Sequence, residues 1–368
     1  VDIFYLAYHN RDDDKEILQK LSIFLSNVVG IVNNSFDKKT SIEKSIKRKV
    51  MRIGIISDFL CNHSVGRFFG NIIIDLASTD IEIIIFRGPN AKEDEFSKGI
   101  DSQVSEVNRL PNQISEASKL ILSKSLDILI YLDIGMSGYT YLLSLSRLAL
   151  VQVNALGHSC TSGSPNIDYA ISCNDCEVKG SEKYFSENII KLSRFPINFS
   201  PPICKESSFN RSKLDLPQEN FLIGLPHALF KYHPDFDFIL DKILEEIPNA
   251  YFYCAEDRHK LMTEKLKERW NRRTKLVLKR TIFFERVNMN DFLNILKSVD
   301  IVLSPFYFGM GNTYYQCMSV GTPVVSYNQD IFRTRHPYAG YRQMGIQNPP
   351  IAYSPEEYIS ICKQLAVD

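Results

Sequence analysis

Neither sign of charge dominates this chain: 43 Lys and Arg face 43 Asp and Glu. A protein that gathers nucleic acid electrostatically needs a basic surplus, so no nucleic-acid partner is expected. No stretch approaches the ~20 apolar residues that span a bilayer. The opening run VDIFYLAYHNRDDDKE also lacks the basic region and apolar core of a secretory leader. The expectation is therefore no membrane span and a cytoplasmic location. The eight cysteines are scattered among apolar runs rather than spaced as a disulfide framework, which suits reduced, buried thiols. Cys173 and Cys176 form a lone CxxC. Without a second pair at zinc spacing, two thiolates do not complete a tetrahedral site, so no metal is expected.

What is present is alternation. At 368 residues the chain has room for two α/β domains of ordinary size. Residues 1–48 read as a lead-in: apolar residues recur at helical spacing through EILQKLSIFLSNVVGIV, and a charged linker, DKKTSIEKSIKRK, follows. Residues 49–203 then alternate short apolar strands (MRIGIIS, IEIIIFRG, LDILIYLD, LVQVNALG) with helical stretches. A Pro-rich run, FPINFSPPICKESS, marks the boundary, and over 204–368 the alternation restarts with FLIGLP, AYFYCAE, VLKRTIFF, DIVLSPF and PVVSY. Strands separated by helices imply parallel, doubly wound sheets, so the expected architecture is α/β: two Rossmann-like domains facing across a cleft behind a helical lead-in. Ligands of such sheets gather at the carboxyl ends of strands, where SDFLCNH, LDIGMSG and ALGHSCTSG fall.

The strongest local signal is FYFGMGNTYYQCMSVGTPVVS. Gly309, Gly311, Asn312 and Thr313 lie between a strand and a helix, where backbone N–H groups can face a diphosphate. Alone, the same glycines serve equally well as a tight turn. Lys231, in HALFKYHPDF, stands at a strand-to-helix junction where an ammonium would neutralise a departing diphosphate; the competing reading is a solvated surface lysine. His63 and His158 sit on strand-end loops of the other half, where imidazole can orient or deprotonate an acceptor, although a lone loop histidine is more often a plain hydrogen-bonding residue.

Taken in order, RIGIISDFLCNHSVGRFF, DIGMSGYTYLLSLSRLALVQVNALGHSCTSGSPNIDYAIS, GSEKYFSENIIKL, FKYHPDFD, SPFYFGMGNTYYQCMSVGTPVV and DIFRTRHPYAGYRQMGI resemble the catalytic core of the O-GlcNAc transferase/SPINDLY family. That family includes bacterial cytosolic N-glucosyltransferases, and the likeness runs from about Asp2 to Lys363. The resemblance implies a GT-B fold and an inverting, metal-independent transfer from a nucleotide sugar to a protein side chain, with no cofactor beyond the UDP-sugar co-substrate. It assigns Lys231 to the donor diphosphate, and Gly311, Asn312 and Thr313 to the phosphate loop. His63 falls near the reacting centre, and Gly157, His158, Thr161, Ser162 and Gly163 match a glycine-rich loop at the cleft, of which Gly157, Thr161, Ser162 and Gly163 are expected to help bind the donor. Two departures stand out. Gln316 replaces the carboxylate the family places near the ribose hydroxyls, which removes a charge-assisted bond. Ser159 stands where a proline commonly follows the histidine.

UDP-GlcNAc and a protein Ser/Thr acceptor are the first expectation, with His63 ahead of His158 as base and water or a donor phosphate oxygen as other proton acceptors. UDP-glucose onto Asn, a GT-B enzyme acting on lipid or glycan, and a catalytically decayed nucleotide-sugar-binding module remain open alternatives.

Overall fold

The structure, a computed structural model, describes residues 3–9, 14–28, 36–205, 211–214 and 219–367. It divides into two compact units, the first reaching Ser200 and the second starting at Pro201, with Tyr8 joining the second. The part of the expected lead-in helix beyond Val28, and residues 206–208 of the Pro-rich run, lie outside the described residues.

The first unit is a seven-stranded sheet built from β1 (Met51–Ser57), β2 (Ile81–Arg87), β3 (Glu106–Arg109), β4 (Ile128–Tyr131), β5 (Val151–Asn154), β6 (Tyr169–Cys173) and β7 (Asn188–Leu192), in the order β3-β2-β1-β4-β5-β6-β7. Every pairing is parallel. Its helices are α1 (Asp14–Val28), α2 (Lys38–Lys47), α3 (Ser64–Ala77), α4 (Glu95–Asp101), α5 (Ile114–Ser123) and α6 (Gly138–Ser144). The central strands β1 and β2 are near-continuous Ile and Phe runs because both faces of the sheet are covered. β3, sequence EVNR, escapes sequence reading because it is short, half exposed and lacks an apolar run. The charged stretch read as a linker instead forms α2, whose start is fixed by Asp37 accepting from the Thr40 amide at 3.1 Å.

The second unit repeats the plan with β8 (Phe221–Leu225), β9 (Ala250–Ala255), β10 (Thr281–Phe284), β11 (Ile301–Leu303), β12 (Val324–Tyr327) and β13 (Ile351–Ala352), ordered β10-β9-β8-β11-β12-β13 and again all parallel. Around it lie α7 (Pro234–Glu246), α8 (Lys260–Arg273), α9 (Met289–Ser298), α10 (Asn312–Val320), α11 (His336–Gln343) and α12 (Pro355–Leu365). Its core packs Phe236, Trp270, Phe306 and Tyr358 with the strand residues of β8 and β11. The expected strand VLKRTIFF is shorter than read: Leu278–Arg280 form a 3-10 turn and pairing begins at Thr281.

Each sheet reverses direction of winding once, between β1 and β4 in the first unit and between β8 and β11 in the second. Crevices at such switch points are where doubly wound sheets hold ligands. Helix α1 is tied to the first unit through the loop after β5: Ser22 Oγ donates to Gly163 O at 2.8 Å, and Gly163 has φ +69°. A Cβ on Gly163 would lie 2.4 Å from the Leu18 carbonyl carbon. Gly163→Ala is therefore expected to cost about 2–4 kcal/mol, from left-handed strain plus displacement of α1. Differential scanning calorimetry would register this as a lowered first-unit transition, and an unchanged transition would contradict the contact.

Candidate functional site

At the switch point of the second unit, β8 runs into a 3-10 turn that ends at Lys231, and β11 runs into the loop that opens α10. The two meet directly: Lys231 Nζ donates to Gly309 O at 3.1 Å. Lys231 is partly buried, and desolvation pushes its ammonium down to about 8. Among the described residues, no carboxylate forms an ion pair with it; the nearby carboxylates Asp235 and Asp237 pair with His233 and Arg269. Two buried imidazoles respond to its charge. His227 donates from Nε2 to Leu303 O at 2.7 Å, and burial followed by the Lys231 charge pushes both His227 and His336 down to about 3. They are neutral at physiological pH and do not compete with the lysine for an anion.

The loop that opens α10 lies beside this lysine. Gly309 N donates to Arg333 O at 3.1 Å and Met310 N to Ser304 Oγ at 3.2 Å, which anchors the loop base. Helix α10 starts at Asn312 behind Gly311, which offers no side chain to cap it. The first-turn N–H groups, at Asn312 and Thr313, are those a helix leaves without an intrahelical acceptor. A Cβ on Gly311 would meet nothing within 4 Å, so its glycine keeps the helix mouth uncovered rather than relieving a clash. Gln316, one turn on, is buried at 3% exposure and donates from Nε2 to Met289 Sδ of α9 at 3.2 Å. Its amide is thus committed inside the unit.

In the first unit, His63 caps α3, its Nδ1 accepting from Val65 N at 3.3 Å, while its ring packs on Phe59 with centroids 4.9 Å apart. Burial and the nearby Lys92 lower its pKa. A neutral ring whose Nδ1 accepts carries its proton on Nε2, so His63 presents a donor rather than a base in this geometry. His158 is buried, stacked on Phe4 at 4.8 Å, and its ring lies over Gly135, where a Cβ would stand 2.7 Å from Cδ2. Gly157 allows close approach of two chain segments: its N–H reaches Leu132 O at 3.0 Å, and a Cβ there would lie 2.0 Å from that oxygen. Thr161 and Ser162 are buried, and both are held by Glu187: Thr161 Oγ1 donates to Oε2 at 2.6 Å and Ser162 N to Oε1 at 2.7 Å.

Glu187 lies within GSEKYFSENIIKL, a run that carries part of the resemblance, but nothing in the sequence singles this carboxylate out. A pair of carboxyls, Asp58 and Asp133, also escapes sequence reading; they follow β1 and β4 at the first switch point. Asp133 accepts from Ser57 Oγ at 2.9 Å and from Asp58 N at 2.8 Å, and Ser137 Oγ donates to Asp58. Burial, then the Asp58 charge, pushes Asp133 up to about 7. Each closes an apolar run, IGIISD and LIYLD, a signal that sequence alone does not distinguish from a solvated strand end. Among the described residues, no three His, Cys, Asp or Glu side chains converge as metal ligands, and no helix is long and apolar enough to cross a membrane.

Two all-parallel doubly wound units with loop sites at their switch points define the GT-B class of glycosyltransferase fold. A variant of Thermobaculum terrenum O-GlcNAc transferase superposes with a TM-score of 0.76 over 97% of this chain and 71% of that one, at 19% identity. No family model matches the chain. Among curated proteins, an Actinobacillus pleuropneumoniae UDP-glucose:protein N-beta-glucosyltransferase is 26% identical over 239 residues, 64% of this chain and 37% of that protein. A probable UDP-N-acetylglucosamine peptide N-acetylglucosaminyltransferase SPINDLY from Solanum lycopersicum is 20% identical over 356 residues, 90% of this chain and 36% of that protein. The chain is thus similar in sequence to members of the O-GlcNAc transferase/SPINDLY-like family and shares their fold. It spans little more than a third of the length of these curated relatives.

Proposed function

We propose that the chain is the catalytic core of an inverting glycosyltransferase whose second unit holds the diphosphate of a nucleotide sugar between Lys231 and the N-terminus of α10. The observation that carries this reading is an ammonium with no ion-pairing carboxylate among the described residues, hydrogen-bonded to Gly309 O at 3.1 Å beside an uncapped helix start. Such a site is electrostatically incomplete until an anion enters it. In the reaction, an acceptor side chain attacks the anomeric carbon as the bond from that carbon to the diphosphate oxygen breaks. Lys231 and the N–H groups of Asn312 and Thr313 neutralise charge as it grows on the leaving phosphate, so no step calls for a divalent cation. His63 offers Nε2–H as a hydrogen-bond donor, and the acceptor proton leaves to a donor phosphate oxygen or to water. Gly157, His158, Thr161, Ser162 and Gly163 act as one ordered loop.

UDP-GlcNAc and a protein Ser/Thr hydroxyl are the first assignment. A second reading, UDP-glucose transferred to Asn, is favoured by the A. pleuropneumoniae relative, a UDP-glucose:protein N-beta-glucosyltransferase that aligns over 64% of this chain. The internal commitment of Gln316 bears on nucleoside affinity in either case. A thermal-shift panel of UDP-GlcNAc, UDP-glucose and GDP-fucose is expected to raise the melting midpoint with one UDP-sugar above the others, since a ligand that binds only the folded state stabilises it. Fragmentation mass spectrometry of a polypeptide acceptor then reads Ser/Thr against Asn. A shift without transfer would leave the catalytically decayed nucleotide-sugar-binding module as the better description, and no shift with any of the three would refute the donor site.

A further inference from the structure

Tyr307 carries the clearest backbone strain in the second unit. It has φ +67°, a region that bulky residues avoid, and the next amide, Phe308 N, donates back to Phe306 O at 2.8 Å. A hydrogen bond spanning one residue of positive φ is a γ-turn of the rarer, strained hand. Three contacts hold it in place. Arg333 Nε donates to Tyr307 O at 3.0 Å, Tyr307 OH donates to Asp235 Oδ2 at 2.8 Å, and the Tyr307 ring meets His233 edge-on with centroids 4.9 Å apart. Strain persists only where the surroundings over-determine it, and such places cluster at functional sites.

The consequence of this strain falls on the next residue. The turn aims the Phe308 ring at Lys231, whose Nζ lies 4.9 Å from the ring centroid, while the next carbonyl along, Gly309 O, accepts from the same Nζ at 3.1 Å. Tyr8 stacks on the Phe308 ring with centroids 4.3 Å apart. We propose that the turn formed by Phe306, Tyr307 and Phe308 is a positioning device for Lys231, in which Phe308 holds the ammonium by its ring face in place of a carboxylate. A carboxylate there would pin the lysine more firmly and then repel the diphosphate. An aromatic face attracts a cation without carrying a charge, so it steadies the ammonium and leaves it available to an incoming anion. The proposal rests on the donor-diphosphate reading of the same site.

The test measures UDP binding by calorimetry in wild type, in the single variants Phe308→Leu, Phe308→Tyr and Lys231→Met, and in the double variant Phe308→Leu/Lys231→Met, alongside melting midpoints. Phe308→Leu is expected to weaken UDP binding about tenfold with little change in midpoint, and Phe308→Tyr is expected to bind as wild type does. In the Lys231→Met background, Phe308→Leu is expected to have no further effect, because the ring acts through the lysine. Loss of the same size in both backgrounds would mean a merely structural role and would overturn the proposal, as would wild-type affinity in Phe308→Leu. If wild type binds neither UDP nor any other nucleoside diphosphate, the donor-site reading itself fails and this inference falls with it.

Discussion

Replacing Lys231 with Met is expected to abolish sugar transfer, by about a thousandfold or more, while raising the melting midpoint of the unliganded protein. The two effects have one cause. Desolvation lowers Lys231 to about 8 in the folded chain, against ~10.4 for an unhindered lysine. Between those values the unfolded chain binds more protons than the folded one, so stability rises with pH across that window. Below about 8 the fold carries the charged ammonium at a cost of about 1–3 kcal/mol, the range allowing for partial solvent screening. Met keeps most of the volume and removes the charge, so that cost disappears. The midpoint gap between variant and wild type should then narrow as pH rises from about 8 toward about 10. Nucleotide affinity of wild type should fall over the start of the same interval, as the free ammonium loses its proton. Turnover by Lys231→Met within about tenfold of wild type would refute the assignment of the leaving-group site.

Glu187→Ala is expected to have the second-largest effect. The carboxylate accepts from Thr161 Oγ1, Ser162 N, Ser186 Oγ at 3.1 Å and Asn154 Nδ2 at 3.5 Å. Removing it strands several buried donors together, for a loss of about 3 kcal/mol or more. If the loop from Gly157 to Gly163 orders the acceptor side of the reaction, transfer measured well below the melting midpoint falls by about a hundredfold in addition. Glu187→Gln keeps one accepting oxygen and should lie between the two. A variant that melts lower yet transfers at the wild-type rate would make Glu187 a support of the fold alone.

Much of this architecture is legible in the residues. MRIGIIS, IEIIIFRG and FLIGLP read as buried parallel strands and are β1, β2 and β8. The weaker strands are not legible for a physical reason: β3 and β7 lie at the edges of the first sheet, where one side needs no apolar cover, so EVNR and NIIKL carry mixed patterns. The candidate site divides in the same way. The GMGNT run announces a strand-to-helix junction by composition, but nothing in it says that Gly311 faces open space while Gly309 packs toward Ser304. The resemblance places Thr161 and Ser162 in a glycine-rich loop, and only the fold shows that Glu187 engages the Thr161 hydroxyl and the Ser162 amide.

The alternation of strands and helices, the two-unit plan and the placement of loops at strand ends follow from the order of residues alone, because hydrophobic period and breaker residues are properties of neighbours along the chain. Only packing in three dimensions sets β8 beside β11, which brings Lys231 to Gly309 across 78 residues of sequence. The same packing rests the ammonium against an aromatic ring and turns Gln316 toward Met289. Desolvation and hydrogen-bond partnership are set by atoms remote in the chain, so the charge state of Lys231 and the commitment of Gln316 exist only once the fold is formed.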